Sequence, residues 1–310
     1  MHGNKAGGEF IKIAEVARLL SQQASNFSSP YNSLIGDDAA VIDFQELKIN
    51  LFASDMMVEN IHFRTSYFKD ADIGYKSMST NVSDMAAMGG RPVYATVSLG
   101  APSHFSIPDF YTGVRAACEE YGFHIAGGDL SYSELIVISV SMLGATFADP
   151  ILRSTAMAED YIFVTGPLGG SSAGLTLLQA NQDATGPLVD IHLRPNARVR
   201  EAEGIALAGA TSAIDVSDGL IADLNHICEQ SGVGAELEHL PIAVGASLDA
   251  AMYGGEDYQL VFSHPNPSKV ESTFETLGLD QPYGIGRLRS EPGILLDGKR
   301  IEVRGYQHGL

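Results

Sequence analysis

The feature that most constrains the fold is a regular alternation of two kinds of segment along the chain. Residues 92–99 and 135–142 are apolar and rich in strand-forming residues. Residues 73–88 and 108–121 instead carry apolar residues at helical spacing. The alternation stops at residues 147–153, where Ala-Asp-Pro breaks the pattern, and then starts again. This pattern predicts an α/β fold in which each half of the chain is a mixed sheet layered with helices.

The break and the chain length together predict two domains. A chain of 310 residues exceeds the usual size of one domain, so each half is expected to bury its own hydrophobic core. The predicted N-terminal domain spans residues 1–148, and the predicted C-terminal α/β domain spans residues 149–310.

The charge balance excludes several classes of partner. Lys and Arg number 19 against 38 Asp and Glu, which gives a formal net charge of −19, and no basic cluster offsets it. Such a chain repels nucleic acids and anionic membrane surfaces, so neither is an expected partner. The sequence has no apolar run of membrane-spanning length and no signal-peptide core, and its two cysteines, Cys118 and Cys228, fall on apolar helical faces. These features predict a cytoplasmic protein.

Acidic residues recur beside the predicted strands, where mixed sheets commonly build ligand sites. Asp38 precedes the first predicted strand, residues 39–42, and Asp55 lies at the end of the second, which is predicted at residues 47–52. Asp129 follows another short strand, residues 123–126, whereas Asp215 and Asp218 join the strand predicted at residues 212–215 to a helix, after which a further strand is predicted at residues 234–237. Each has a simple explanation as a turn former, a strand end or a helix N-cap. As a group they predict a site for a hard divalent cation such as Mg²⁺, which would let an acidic protein hold ATP.

Three further features are candidates for parts of such a site. Asp84 is the hardest acidic residue to explain structurally, because Asp is a poor residue for the middle of a helix. The glycine-rich segment 166–174 lies between a strand and a helix, as phosphate loops do, but it lacks the Walker A lysine and a tight turn explains it equally well. Arg153 could meet a phosphate, although it is also typical of a protein surface. No motif for nucleophilic catalysis by a side chain is present.

Several runs of sequence resemble the thiamine-monophosphate kinase family, which belongs to the aminoimidazole ribonucleotide synthetase-like superfamily. They include Gly-Asp-Asp-Ala, Asn-Val-Ser-Asp, Asp-Val-Ser-Asp-Gly and Gly-Gly-Glu-Asp-Tyr, in the order of the family. The matching runs lie at residues 35–41, 54–63, 81–89, 127–129, 153–154, 164–169, 214–220, 254–258 and 304–308. The resemblance therefore covers nearly the whole chain.

The resemblance implies a fold, a reaction and its cofactors. The fold has two domains, of which the N-terminal one binds metal and nucleotide and forms a homodimer interface through its sheet. The reaction is the ATP-dependent phosphorylation of thiamine monophosphate to thiamine diphosphate by direct in-line transfer, a step of thiamine diphosphate biosynthesis. Several Mg²⁺ ions are the implied cofactors, and ATP is the co-substrate. Because the acceptor is already an anionic phosphate, such a transfer needs no strong base.

The resemblance also implies a role for each matched residue. The implied metal ligands are Asp38, Ser54, Asp55, Asp84, Asp129, Asp215 and Asp218. The implied ATP contacts are Gly128, Asp129, Arg153 and Ser217, and the implied substrate contacts are His62, Glu256 and Tyr306. Asp84, Asp215 and Arg153 are the implied catalytic residues. The chain departs from the family pattern at Ala53 and Leu130, where the family has hydroxyl side chains, so the number of metal ions stays open.

Two alternatives compete with this interpretation. One is another ATP-dependent enzyme of the superfamily, but the hydrogenase-maturation type uses a C-terminal cysteine and the selenium type an N-terminal cysteine or selenocysteine. The first cysteine here is Cys118 and the chain ends at Leu310, so both types are expected to be excluded. The other alternative is a non-catalytic ligand-binding homologue, against which the nearly complete acidic set argues.

Overall fold

The computed structural model of the chain describes residues 18–19 and 48–306. The chain divides into two compact units, the first made of Met1–Val82 and Pro92–Ala145 and the second of Ser83–Arg91 and Thr146–Leu310. Asp38 and the strand predicted at residues 39–42 lie outside the described residues. The domain limits drawn from the sequence stay a prediction.

The first unit is built on a four-stranded mixed sheet. Its strand order is β1-β4-β2-β3, with β1 and β4 antiparallel and β2 and β3 parallel. The parallel pair requires a crossover connection, which a helix supplies. The elements are β1 (Leu51–Val58), α1 (Asp70–Ala87), β2 (Gly90–Ala101), α2 (Ile107–Tyr121), β3 (His124–Tyr132) and β4 (Val137–Thr146).

Local sequence determines where helix α2 begins and ends. Ser106 precedes the helix, and its side chain accepts a hydrogen bond from the Asp109 backbone N–H. A proline in the first turn needs no hydrogen-bond partner for its nitrogen. At the other end, Gly122 adopts the left-handed conformation, with φ of 73°, that commonly terminates helices.

Helices α1 and α2 pack with their backbones in contact, because glycines face each other across the pair. A side chain at Gly74 would collide with the Phe110 carbonyl oxygen, and one at Gly113 would collide with the Ala71 carbonyl oxygen. This close approach leaves no room for larger residues, so the two glycines fix the position of α1 within the first unit.

The second unit contains a seven-stranded mixed sheet in the order β11-β10-β7-β9-β5-β8-β6, in which only β7 and β10 pair in parallel. Its strands are β5 (Tyr161–Val164), β6 (Ser212–Asp215), β7 (Gly234–Leu237), β8 (Leu260–His264), β9 (Tyr283–Arg289), β10 (Gly293–Leu296) and β11 (Lys299–Arg300). Its helices are α3 (Gly170–Ala180), α4 (Pro187–Leu193), α5 (Val199–Ala208), α6 (Leu220–Ser231), α7 (Leu248–Tyr253) and α8 (Pro267–Leu277), and a short 3-10 helix spans Arg153–Thr155.

Both faces of this sheet are buried. Along β5, Ile162 and Val164 belong to one hydrophobic cluster and Phe163 to another, as alternation along a strand requires. Helices α6 and α7 contribute to the first cluster, and α5 and α8 contribute to the second. The last turn of α1 adds Ala86 and Ala87 to the second cluster, so this part of α1 packs in the core of the second unit.

The predicted α/β fold with mixed sheets is confirmed, and β6 and β7 have the predicted limits. The strand predicted at residues 47–52 was wrong in position, because Lys48 has φ of 52° and β1 begins only at Leu51. Asp55 therefore lies within β1 rather than at the end of a strand. None of the helices in the described ranges is long and apolar enough to cross a membrane.

The strand predicted at residues 123–126 was too short, since β3 continues to Tyr132. Gly128 allows this continuation, because a side chain there would collide with the Val97 carbonyl oxygen of the neighbouring strand. Asp129 therefore lies inside a strand and not in the turn that follows one.

The contact of α1 with α2 gives a stability prediction. Gly113→Ala should lower the free energy of unfolding by about 1–3 kcal/mol, because the added methyl group forces two helix backbones apart. Gly127→Ala is the matched control, since no atom lies within 4 Å of the position of its added methyl group. Urea unfolding of the two variants measures the difference. A Gly113→Ala protein as stable as the wild type would contradict the packing argument.

Candidate active site

A tight turn at the end of β6, residues 215–219, is the centre of the candidate site. The Oδ2 atom of Asp223 accepts hydrogen bonds from the backbone N–H groups of Ser217, Asp218 and Gly219, each at 3.0 Å. Gly219 is the residue before α6, and no side chain caps that helix, so the N-cap explanation for Ser217 and Asp218 was wrong. The turn is instead shaped by one carboxylate from the first turn of α6.

The turn concentrates negative charge in a buried place. The pKa of Asp223 is raised to about 8, mainly by burial and in part by the nearby charges of Asp215 and Asp218, while its backbone hydrogen bonds act in the opposite direction. Asp215 itself is only 4 % exposed. Three acidic side chains thus share one region, where a cation would offset their mutual repulsion.

The end of α1 is tied directly to this turn. The Ser83 hydroxyl donates a hydrogen bond of 2.6 Å to Oδ2 of Asp215. Asp84, the next residue, is therefore carried on a helix whose last turns are anchored at the end of β6. Asp84 and Asp215 were predicted from the sequence, but Ser83 and Asp223 were not, because the only signals were that Ser83 directly precedes Asp84 and that Asp223 lies in the helix after Asp218.

The loop from Gly254 to Tyr258 is held against the turn by its backbone. The Glu256 N–H donates to the Ser217 carbonyl at 2.8 Å, and the Tyr258 N–H donates to the Val216 carbonyl at 2.9 Å. Glu256 and Tyr258 have φ of 66° and 49°, a region that is unfavourable for residues other than glycine. Such strain persists only where surrounding contacts impose it, and it is concentrated at functional sites.

The side chain of Glu256 faces a buried histidine. Its Oε2 lies 3.5 Å from Nδ1 of His192, and that same nitrogen lies 3.0 Å from the hydroxyl of Ser171. His192 is buried, whereas the Glu256 side chain is 28 % exposed. The pair therefore joins the strained loop to α3 and α4 and leaves part of the Glu256 carboxylate in contact with solvent.

The glycine-rich segment 166–174 does not present a vacant phosphate site. Its helix, α3, begins with backbone N–H groups that are occupied by the Asp257 carboxylate, at 2.5 Å from Gly169 N and 3.0 Å from Ser171 N. Burial raises the pKa of Asp257 to about 6, although these hydrogen bonds act in the opposite direction. An internal carboxylate thus takes the position that a phosphate takes in a phosphate-binding loop.

The last described residues complete the turn from its other side. The Tyr306 N–H donates to the Asp218 carbonyl at 3.0 Å, and a side chain at Gly305 would collide with Ala222. The guanidinium of Arg304 lies 4.3 Å from the centre of the Tyr253 ring. The structure therefore brings together, within the second unit, the predicted residues Asp215, Ser217, Asp218, Glu256 and Tyr306, while Asp84 directly follows Ser83, which contacts Asp215.

Arg153 is not brought to this turn. Its carbonyl accepts a hydrogen bond from Ser231 at the far end of α6, and Thr155 in the same 3-10 helix bonds Thr211, before the start of β6. Helix α6 has 12 residues. At about 1.5 Å per residue, its two ends are about 18 Å apart. Arg153 is exposed and lies at the end of α6 opposite to the turn. Its contact with ATP stays a prediction.

The first unit holds the remaining candidates on two edge strands. Ser54 and Asp55 lie in β1, and Gly128 and Asp129 lie in β3. These strands are the opposite edges of the sheet, three inter-strand spacings or about 14 Å apart along it. The Ser54 hydroxyl donates to the Val140 carbonyl at 3.0 Å. The sheet therefore separates the two candidate groups, and their roles as metal and ATP ligands stay predictions.

His62 has a local structural contact. Its Nδ1 accepts a hydrogen bond of 2.9 Å from the Val58 backbone N–H, at the end of β1. This bond assigns the proton of a neutral imidazole to Nε2 and fixes the orientation of the ring. A substrate contact by His62 stays a prediction.

Magnesium is the metal that the resemblance implies, and the chemistry of the turn fits it. Asp215 and Asp218 offer carboxylate oxygens, which Mg²⁺ prefers, in a region where both residues raise the pKa of Asp223, and Asp84 lies next to Ser83, which contacts Asp215. Over residues 18–19 and 48–306, no three His, Cys, Asp or Glu side chains form a ready-made metal cage. Mg²⁺ does not require one, because it commonly takes one or two carboxylates together with water and substrate phosphates.

Asp257 should make stability depend on pH. Its folded pKa of about 6 lies above the ordinary value of 3.8, so its contribution to the free energy of unfolding is complete below pH 4 and is lost as the pH rises through 6. The linked change is about 3 kcal/mol. Asp257→Asn should remove this change with pH. The free energy of unfolding of the wild type should therefore fall relative to that of the variant from pH 4 to pH 7.

Urea unfolding at several pH values measures this difference. Glu256, whose charge raises the pKa of Asp257, and His192, which faces Glu256, are present in both proteins and cancel in the comparison. The exposed Asp183→Asn is the matched control and should follow the wild type. Parallel curves for wild type and Asp257→Asn would contradict the prediction.

Comparison with known proteins identifies the family. The model for "AIR synthase related protein, N-terminal domain" matches residues 36–146, and that for the C-terminal domain matches residues 158–297. The thiamine-monophosphate kinase of Aquifex aeolicus is 38% identical over 296 residues, which cover 89% of this chain and 93% of that protein. The enzyme of Bacillus subtilis is 32% identical over 300 residues, covering 88% of this chain and 92% of that protein.

A solved structure indicates the same family as the sequence relatives do. The structure of AaThiL complexed with AMPPCP and TMP has a TM-score of 0.76 and 35% identity, and the match covers 99% of each chain. The AIR synthetase-like fold and the family resemblance inferred from the sequence runs are thereby confirmed. The chain belongs to the thiamine-monophosphate kinase family of the AIR synthase related proteins.

Proposed function

We propose that this protein transfers the γ-phosphoryl group of ATP to thiamine monophosphate and produces thiamine diphosphate. The observation that carries the proposal is the turn at residues 215–219, where the Ser83–Asp215 hydrogen bond joins two segments that bear acidic candidates. The relatives named thiamine-monophosphate kinase and the AaThiL complex with AMPPCP and TMP support the choice of substrates.

The proposed transfer is direct and in line. The acceptor phosphate is an anion at neutral pH and can attack the γ-phosphorus without a base, so the enzyme acts mainly by positioning and by offsetting charge. The acidic turn alone would repel both phosphates. Mg²⁺ held by these carboxylates would supply the opposite charge that the phosphates need.

We assign Mg²⁺ binding in the second unit to Asp84, Asp215 and Asp218. Asp215 is oriented by Ser83, and Asp218 is held by hydrogen bonds of its backbone to Asp223 and Tyr306. Additional proposed ligands are Ser54, Asp55 and Asp129 in the first unit, and Asp38 outside the described residues. The proposed ATP contacts are Gly128, Asp129, Arg153 and Ser217.

We assign the thiamine end of the substrate to Glu256 and Tyr306, with His62 as a third proposed contact. The thiazolium ring is a cation, so the Glu256 carboxylate can attract it and the Tyr306 ring can contact it by its face. Both residues are hydrogen-bonded through their backbones to the turn, at Ser217 and Asp218. This connection supports the proposal, because it holds the backbone of both proposed substrate-binding residues next to the residues proposed to bind metal.

We further propose that the protein is a homodimer whose interface is the sheet of the first unit. Phe52, Ser54 and Met56 alternate along the edge strand β1 and share one face, and Phe52 and Met56 are 72 % and 55 % exposed. A second copy of the sheet would bury them. Light scattering should give the mass of two chains.

The cytoplasm remains the proposed compartment, which cell fractionation would test.

The activity gives the main functional prediction. Purified protein with ATP and Mg²⁺ should convert thiamine monophosphate to thiamine diphosphate and release ADP, and it should leave free thiamine unphosphorylated. Chromatographic separation of the thiamine species measures both reactions. Phosphorylation of thiamine without use of thiamine monophosphate would overturn the proposal, and so would the absence of either reaction.

A substitution links that activity to the proposed site. Asp84→Asn should keep the fold but lower turnover by about 100-fold or more, because one negative ligand is lost where phosphoryl charge develops. The exposed Asp183→Asn makes the same chemical change away from the turn and should have little effect. Near-normal turnover of Asp84→Asn at ordinary Mg²⁺ concentrations would assign Asp84 a structural role instead.

A further inference from the structure

Three serines of helix α1 are completely buried or nearly so, but their hydroxyl groups have different partners. The Ser77 hydroxyl donates to the Gly74 carbonyl within the helix, and the Ser79 hydroxyl lies 3.3 Å from the Tyr121 hydroxyl. Ser83 instead donates to the carboxylate of Asp215, a residue 132 positions away in the sequence. Of these three contacts, only the last involves a residue proposed to bind metal.

The Ser83–Asp215 contact has the geometry of a strong hydrogen bond. Its O···O distance of 2.6 Å lies in the range of hydroxyl-to-carboxylate bonds, which are shorter and stronger than neutral ones. Ser83 is 0 % exposed and Asp215 is 4 % exposed, so water competes little for either group. The contact is therefore a stable feature of the buried site.

The bond also restricts the direction of the carboxylate. Rotation about the last torsion of an aspartate side chain has broad minima, so an unheld carboxylate can turn. A hydroxyl bound to Oδ2 fixes the plane of the Asp215 carboxylate.

We propose that Ser83 is a positioning residue that holds the Asp215 carboxylate ready to bind Mg²⁺. This inference rests on the proposed function, in which Asp215 is a metal ligand. Hydrogen bonds to metal-binding carboxylates orient them, and loss of such a partner typically lowers metal affinity about 10- to 100-fold. Ser83 is expected to contribute in this way although it does not bind the metal itself.

The test measures Mg²⁺ binding without catalysis. Calorimetric titration of Mg²⁺ into protein saturated with AMPPCP should give a dissociation constant about 10- to 100-fold higher for Ser83→Ala than for the wild type. Ser83→Cys leaves no cavity, since its side chain has the same shape and is somewhat larger, but its thiol is a weak donor, so it should show a similar loss. Ser77→Ala removes an equally buried hydroxyl from the same helix and should bind Mg²⁺ normally.

Kinetics supply a second readout. The Mg²⁺ concentration for half-maximal rate should rise by the same factor in Ser83→Ala, while KM for thiamine monophosphate should not change. Unaltered Mg²⁺ binding by a folded Ser83→Ala or Ser83→Cys protein would overturn the inference, as would an equal loss in Ser77→Ala. Because the titration needs no acceptor substrate, failure of this inference is distinguishable from absence of kinase activity in the wild type.

Discussion

The three hydrogen bonds from the turn at residues 215–219 to the Asp223 carboxylate are the interaction on which the candidate site depends. They bend the chain at the end of β6 so that consecutive peptide groups face one acceptor. The carbonyl groups of the same turn point outward and receive the N–H groups of Glu256, Tyr258 and Tyr306. One buried carboxylate thereby organises the backbone that supports both the proposed metal ligands and the proposed substrate contacts.

In the second unit, carboxylate side chains bind the backbone N–H groups at helix N-termini that many nucleotide-binding proteins leave free for phosphate. Asp223 binds the backbone before α6, and Asp257 binds the backbone before α3. Both side chains have raised pKa values because their burial is costly. With these N–H groups occupied, attraction for phosphate has to come from cations, which agrees with the acidic character of the chain and the proposed use of Mg²⁺.

Periodicity was sufficient to predict the layered α/β fold, and β6 and β7 were predicted with the limits that the structure shows. Periodicity did not predict that Asp55 and Asp129 lie inside strands. The limits of these strands depend on the pairing of β1 with β4 and on the close approach of β3 to β2 that Gly128 permits. Sequence motifs named Asp215 and Glu256. Ser83 and His192 could not be predicted, since their partners lie far away in the sequence and only the folded chain brings them together.

The sequence separation of these contacts has a consequence for the order of folding. The turn at residues 215–219 receives Ser83 from early in the chain and Tyr306 from its last described residues. Contacts between such distant positions form late, because the intervening chain must first be ordered. During synthesis the sheets can begin to pair while residues are still being added. The complete arrangement around the turn forms only once Tyr306 has emerged from the ribosome, so a nascent chain that has folded most of its core still lacks a finished site.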